Sequence, residues 1–231
     1  DISWISYYEL GVNIPAQFNW DHHYAEGANN TSRRMLYTGL KSDTWGTLTF
    51  GQQNSAYYDA VGAKTDIWDY DMVGQASANG VNGDYDGSYR SRKMLKYKKT
   101  VGDADIYAAY LFNDSDYLPG KGMRYGRKGG GSLAVDYHLT DDLSWGTAWN
   151  YTRAEVRNAG TDASKTWDQT IIGSALSWTP DNWTLSFGGG WYQNFMVLNN
   201  ISAHDFFAGD AWGIEYFAGY TIPVGQFALK S

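Results

Sequence analysis

The segment from Ser55 to Met72, SAYYDAVGAKTDIWDYDM, holds four carboxylates, Asp59, Asp66, Asp69 and Asp71, among the aromatics Tyr57, Tyr58, Trp68 and Tyr70. Carboxylates held opposite fixed cations across a few ångströms of confined water set up a transverse field, which orders water and orients dipolar solutes. The same four acids on a free loop would do no more than keep it hydrated. The aromatics allow a further use, because flat rings with two χ angles bind the apolar sides of sugars at little entropic cost. The segment is too long for a hairpin turn and too aromatic for a solvated linker, so its role depends on the elements that hold it.

Other chemistry finds no constellation. His22 and His23 are adjacent, so on a strand they point to opposite faces and cannot share a metal. His138 and His204 stand alone, and there is no cysteine. Gly129–Gly131 and Gly188–Gly190 lack the GK[ST] of a phosphate loop, and no G-x-S-x-G elbow occurs. The expectation is a protein that is not an enzyme, without cofactor or metal. The formal charge of −7 and a pI near 5.0 carry no overall basic signal for nucleic acid.

The elements around the segment alternate with period two. In SLAVDYHL, Leu133, Val135, Tyr137 and Leu139 oppose Ser132, Ala134, Asp136 and His138. In LSWGTAWNYT, Leu143, Trp145, Thr147, Trp149 and Tyr151 oppose Ser144, Gly146, Ala148, Asn150 and Thr152. WTLSFGGGWYQ and AWGIEYFAGYTI repeat the pattern. Each strand thus has one bulky apolar face and one small or polar face. A soluble sandwich would carry Lys, Glu and Thr outside, whereas Gly, Ala, Ser, Asn and Asp suit a wall bordering a wet lumen.

Composition agrees. Aromatics make up 17% of the chain, with 11 Trp and 19 Tyr, yet mean hydropathy is −0.50 and no apolar run is long enough for a transmembrane helix. A transmembrane antiparallel β-barrel reconciles the two, since only alternate residues meet lipid and Trp and Tyr gather at the interfaces. Short turns near Ile14, Ser42, Thr100, Thr140, Pro180 and Pro223 alternate with long polar connections, as in bacterial outer-membrane barrels. About twelve strands are expected, over 2–13, 16–25, 34–41, 45–53, 89–99, 104–113, 132–139, 143–153, 169–178, 183–194, 210–222 and 226–231. The whole of 1–231 is read as one domain, with 53–88 as its third loop. GKGMRYGRKGGG, carrying Lys121, Arg124, Arg127 and Lys128, is expected to be a hairpin loop, either solvated or touching lipopolysaccharide phosphates.

Three stretches occur in a shared order: TGLK at Thr38–Lys41, FG at Phe50–Gly51 and YDAVG at Tyr58–Gly62. Through them, and more loosely over nearly the whole chain, the sequence resembles the trimeric general diffusion porins of Gram-negative outer membranes. The resemblance implies a sixteen-stranded barrel, of which this chain covers part, incomplete at both ends. It also implies that the third loop folds inward and narrows the pore. Asp66 then takes the place of one family loop acid, Asp69 or Asp71 that of the other, and Asp59 accompanies them. By the same resemblance Arg34 and Arg90 match basic wall positions, with Arg92 and Lys96 extending that side. Glu9 and Gln52 stand where the family has arginines, which predicts a more cation-tolerant constriction.

The implied function is passive diffusion of small hydrophilic solutes and ions across the outer membrane. The implied partners are two further copies of the chain, outer-membrane lipid and lipopolysaccharide, with EGANNTS (residues 26–32) as a short version of the trimer latch. Two alternatives stay open at this point. One is a sugar-selective porin using Tyr57, Tyr58, Trp68 and Tyr70, and the other a soluble β-sandwich that binds carbohydrate.

Overall fold

The protein is described by a computed structural model over residues 1–12, 31–67, 80–120, 122–198 and 202–223. One antiparallel sheet contains every described strand: β1 (Ile2–Val12), β2 (Thr31–Ser42), β3 (Gly46–Asn54), β4 (Arg90–Val101), β5 (Ala104–Leu111), β6 (Asp114–Gly120), β7 (Met123–His138), β8 (Leu143–Asn158), β9 (Ser164–Trp178), β10 (Trp183–Gln193) and β11 (Asp210–Tyr220). Neighbours in sequence are neighbours in space, except that β5 and β6 pair end to end along the one long strand β7. Among the described residues no pairing joins β1 to β11, and no helix is long and apolar enough to cross a membrane.

The alternation settles which face is outside. On β8, Gly146, Ala148, Asn150, Thr152, Ala154 and Val156 are all buried, while Trp145, Thr147 and Trp149 between them are exposed. Trp145 is 48% exposed and Ile214 61%, against 5% for Ser186 and 8% for Glu215. A soluble sandwich would reverse those values, putting the tryptophans in a dry core. Farther along β8 the outward row changes from Trp149 and Tyr151 to Arg153, Glu155 and Arg157. That is how a strand reads when an aromatic girdle ends its lipid-facing band.

The expected short turns at Ser42, Thr100, Thr140 and Pro180 are present as the tight links β2–β3, β4–β5, β7–β8 and β9–β10. Three expectations need correction. β1 pairs directly with β2, from Val12 opposite Thr31 to Ile2 opposite Ser42, so no strand lies between them in the sheet. The expected strand 16–25 and the turn near Ile14 lie outside the described residues, as do the strand at 226–231, His22, His23 and most of the 26–32 loop. Second, the basic loop is largely strand. Met123, Tyr125 and Arg127 point to the buried side and Arg124 and Lys128 are exposed, an alternation hidden in the sequence by its glycines and charges. A register shift between Arg127 and Gly129 then restores the phase in which Ser132, Ala134 and Asp136 are buried. Third, VRNAGTDASKT is not a long connection, because β8 and β9 run on until only 159–163 remain between them.

Candidate functional site

The inward segment starts where β3 ends. Its neck is closed by the Ser55 N–H donating to the Tyr89 carbonyl at 2.7 Å, and the Ser55 hydroxyl then accepts from the Tyr58 N–H at 3.0 Å. That serine cap starts a π-helical turn, Tyr58–Gly62, which passes into α1 (Ala63–Thr65). The return leg carries α2 (Gly83–Asp86), whose first turn is capped by the Asn82 side chain accepting from the Asp84 N–H at 2.9 Å. α2 stops at Gly87, at φ +90°, where an added Cβ would also strike the Asn150 side chain at 2.7 Å.

The segment lies against the small face of the sheet. Ala56, Tyr57, Ala60 and Val61, all 0% exposed, pack with Tyr107, Ala134, Ala148, Ile171 and Ala175 from the wall. Gly146 and Gly173 are its seats. A Cβ on Gly146 would stand 1.7 Å from the Ala60 carbonyl oxygen, and one on Gly173 2.3 Å from the Tyr57 hydroxyl. Part of the small face is therefore a dry socket for another piece of the chain, not a border on open water.

Ion pairs of both polarities hold it. Lys96 on β4 reaches Asp59 of the segment at 2.6 Å and the Asn54 carbonyl at 2.7 Å. In the other direction Lys64 of the segment donates to Asp136 on β7 at 2.9 Å and to the Ser144 hydroxyl at 2.5 Å. Asp66 accepts from the Tyr58 hydroxyl at 2.7 Å, within the segment itself. Asp69, Asp71, Trp68 and Tyr70 lie outside the described residues. Burial raises the phenols of Tyr57 and Tyr58, so both stay neutral donors. Tyr58 sits edge-on to Tyr89 at 4.4 Å. Tyr57 has no exposed surface, so the sugar-selective alternative has no free face of that ring to use: it fills the socket over Gly173.

On the other wall Arg34 pairs with Glu9, so the acid standing at an expected arginine position lies directly on a basic one. Gln52 accepts from Arg33 at 3.2 Å and donates to Asp84 at 3.1 Å. Arg90 lies 3.9 Å from Asp84 and over the Tyr89 ring, and Arg92 pairs with Asp114 at 3.2 Å and donates to the Tyr85 hydroxyl at 2.6 Å. Burial raises the carboxyl of Asp84 above its ordinary value, against the pull of Arg90 and Arg92.

Three anchors carry little signal in the sequence. Arg127, 1% exposed, donates to the carbonyls of Phe112, Tyr85 and Arg92, tying the return leg to the sheet. It was expected in a hairpin loop, either solvated or touching lipopolysaccharide phosphates. Asp86 is fully buried; its carboxylate accepts from Ser88 and Asn82, and its carbonyl accepts from Asn150 and Thr152 on β8. Burial raises this carboxyl despite those donors. Lys64 with Asp136 is the third, and its one signal was an acid at a buried-parity position of SLAVDYHL.

Comparison with known proteins decides the family. A model of the Gram-negative porins matches residues 5–230. The chain belongs to that family. The outer membrane is therefore its location, and a β-barrel wall its fold. Among solved structures, Salmonella typhi OmpF, determined in complex with daunomycin, superposes on this porin chain with a TM-score of 0.71 at 16% identity. The match covers 96% of this chain and 63% of that one, so this porin sequence spans under two thirds of the OmpF length. OmpT of Vibrio cholerae in its trimer form is 14% identical over 82% of each chain, but its TM-score of 0.36 is too low to bear on the fold. No curated protein matches the chain.

Proposed function

We propose that the protein forms a passive, water-filled channel for small hydrophilic solutes and ions, narrowed by the segment from Ser55 to Asp66. The observation that carries this reading is the seating of the segment on Gly146 and Gly173, on the face opposite the exposed tryptophans. A piece of chain occupying that face takes cross-section from whatever the wall encloses, and its charged edge is what a passing ion meets. Asp59 with Lys96, and Asp66 beside Tyr58, form the acidic rim of that edge; Arg34, Arg90 and Arg92 form the basic side. With Glu9 on Arg34 and Gln52 in place of a cation, the field is biased toward cations. No chemical step belongs to this mechanism. The channel lowers the barrier to crossing lipid by keeping ions hydrated and by offering weak, successive polar contacts.

Planar-bilayer recording of the full-length protein tests the reading. Ohmic single channels with reversal potentials on the cation-selective side are the expected result, and absence of channels or clear anion preference would remove it. Assembly as a homotrimer is proposed on family membership alone, and chemical cross-linking in detergent that stops at three copies is the expected outcome.

A further inference from the structure

We propose that the β10–β11 connection is a second inward segment, narrowing the same lumen on the side of the long connections. This rests on the channel reading above. The described parts of the connection are residues 194–198 and 202–209. Phe206 and Phe207, 0% and 4% exposed, pack with Tyr125, Ala154, Val156 and Trp167. Ala154 and Val156 continue the buried row of β8 that begins at Gly146, and Trp167 continues the row of β9 that holds Gln169, Ile171 and Gly173. The two phenylalanines therefore lie on the face that seats the first segment, farther from the short-turn rim. A connection that merely bridged two strand ends in water would not bury aromatic rings there.

Polar contacts hold the described parts to the wall as well. Trp167 Nε1 donates to the Ala203 carbonyl at 3.3 Å and Lys165 Nζ to that of His204 at 3.1 Å. Gln169 donates to the Asn194 carbonyl, and the Asn194 amide returns a bond to Asp168. Within the connection, Val197 and Phe207 form an antiparallel bridge flanked by Leu198 N–H to Phe206 and Ala208 N–H to Met196. The two inward segments also touch. Phe195, fully buried beside Tyr192, lies so close to Gly80 that a Cβ there would meet its ring at 2.4 Å, and Val81 and Tyr85 pack on the Phe206 cluster. His204 and Asp205 are left exposed beside the buried pair, as the groups that solutes in that space would meet.

The test uses full-length protein in planar bilayers. His204→Cys places a unique thiol, since the chain has no cysteine, and a negatively charged methanethiosulfonate then adds bulk and charge. Labelling is expected to lower the current and shift the reversal potential toward cations. Phe206→Ser with Phe207→Ser removes the buried anchors and is expected to raise single-channel conductance on the order of twofold, because conduction follows the open cross-section. Complete labelling, verified by mass, with unchanged current overturns the proposal even if the double variant does not fold; unchanged conductance in a folded double variant overturns it as well. Wild-type protein that forms no channel removes the channel reading and this inference together, whereas normal wild-type channels with silent variants remove this inference alone.

Discussion

The β8–β9 wall and the β2–β4 wall build their inner sides from opposite materials. On β8 and β9 the inner rows hold Gly146, Ala148, Asn150, Gly173 and Ala175, nearly all beneath other chain segments. On β2–β4 they hold Arg34, Arg90, Arg92 and Lys96, each on an acid and partly open to water. Small residues on an inner wall have two uses, bordering water or receiving another part of the chain, and they look alike in a sequence. The glycine approaches separate them. Where an added Cβ would strike the inward segment itself, as at Gly146 and Gly173, the position is a socket.

Filling that socket has the largest expected effect. Gly146→Val would push the Ala60 carbonyl off its seat, and because the obstacle is backbone the strain cannot be relieved by one rotamer. Overpacking of this kind costs about 1–3 kcal/mol, and more where backbone must move. Heat-modifiable migration of the folded protein is expected at lower temperature, or not at all. Gly131→Ala, where a Cβ meets its nearest neighbour at 3.1 Å, is the milder control. Equal stability of the two variants would mean that the inward segment is not held by β8.

Arg127→Met sharpens the same contrast, since it leaves the socket intact and cuts the tie to the return leg. Three carbonyls lose their charged donor, and the apolar stem is kept. The expected loss is on the order of 2–3 kcal/mol in denaturant unfolding from detergent micelles, with noisier single-channel current as the Tyr85 region loosens. Arg124→Met, at an exposed position of the same strand, is expected to change stability far less.

These residues mark the limit of what the chain reveals before folding. The lipid-facing side was legible because a period-two pattern of Trp, Leu and Ile survives any register, as on β8 and β10. So were the four tight turns, which Gly, Pro, Asp and Ser specify locally. The polar half of β7 was not, because MRYGRKGGG alternates only once Arg127 is known to be buried and the shift before Gly129 is known to flip the phase. Lys64 with Asp136 is 72 positions apart in sequence, and no local signal distinguishes a lysine that will dock on a wall from one that will be solvated. Asp59 was legible as one of the four acids of the segment, and Lys96 as a cation of the basic wall; their direct ion pair at 2.6 Å was not.

Selectivity offers a finer probe of the cationic wall. Lys96→Met leaves Asp59 as an uncompensated acid at the edge of the segment, while Asp59→Asn leaves Lys96 as a free cation. Both partners keep some contact with water, so each change is expected to cost only about 1–2 kcal/mol, below the range for removing one member of a fully buried pair. The diagnostic is the sign. Reversal potentials should move toward cations in the first variant and toward anions in the second, and the double variant should return close to wild type. A shift in the same direction for both singles would mean that the pair is a strut remote from the ion path.

Glu9→Gln should give the smallest change. Glu9 accepts from Arg34 and from the Tyr7 hydroxyl at 3.1 Å, and Arg34 is nearly half exposed, so solvent already screens the pair. Folding stability should therefore be indistinguishable from wild type. The charge released is nonetheless at the basic wall, where Glu9 now cancels Arg34. Neutralising the acid returns one net positive charge to that side, so the reversal potential should shift modestly toward anions, more at low salt, where the Debye length is longer. If Glu9→Gln shifts selectivity as much as Lys96→Met, the acid at position 9 is itself part of the narrowest ring, and the contrast between an open cationic wall and a filled small-residue wall would have to be redrawn around β1.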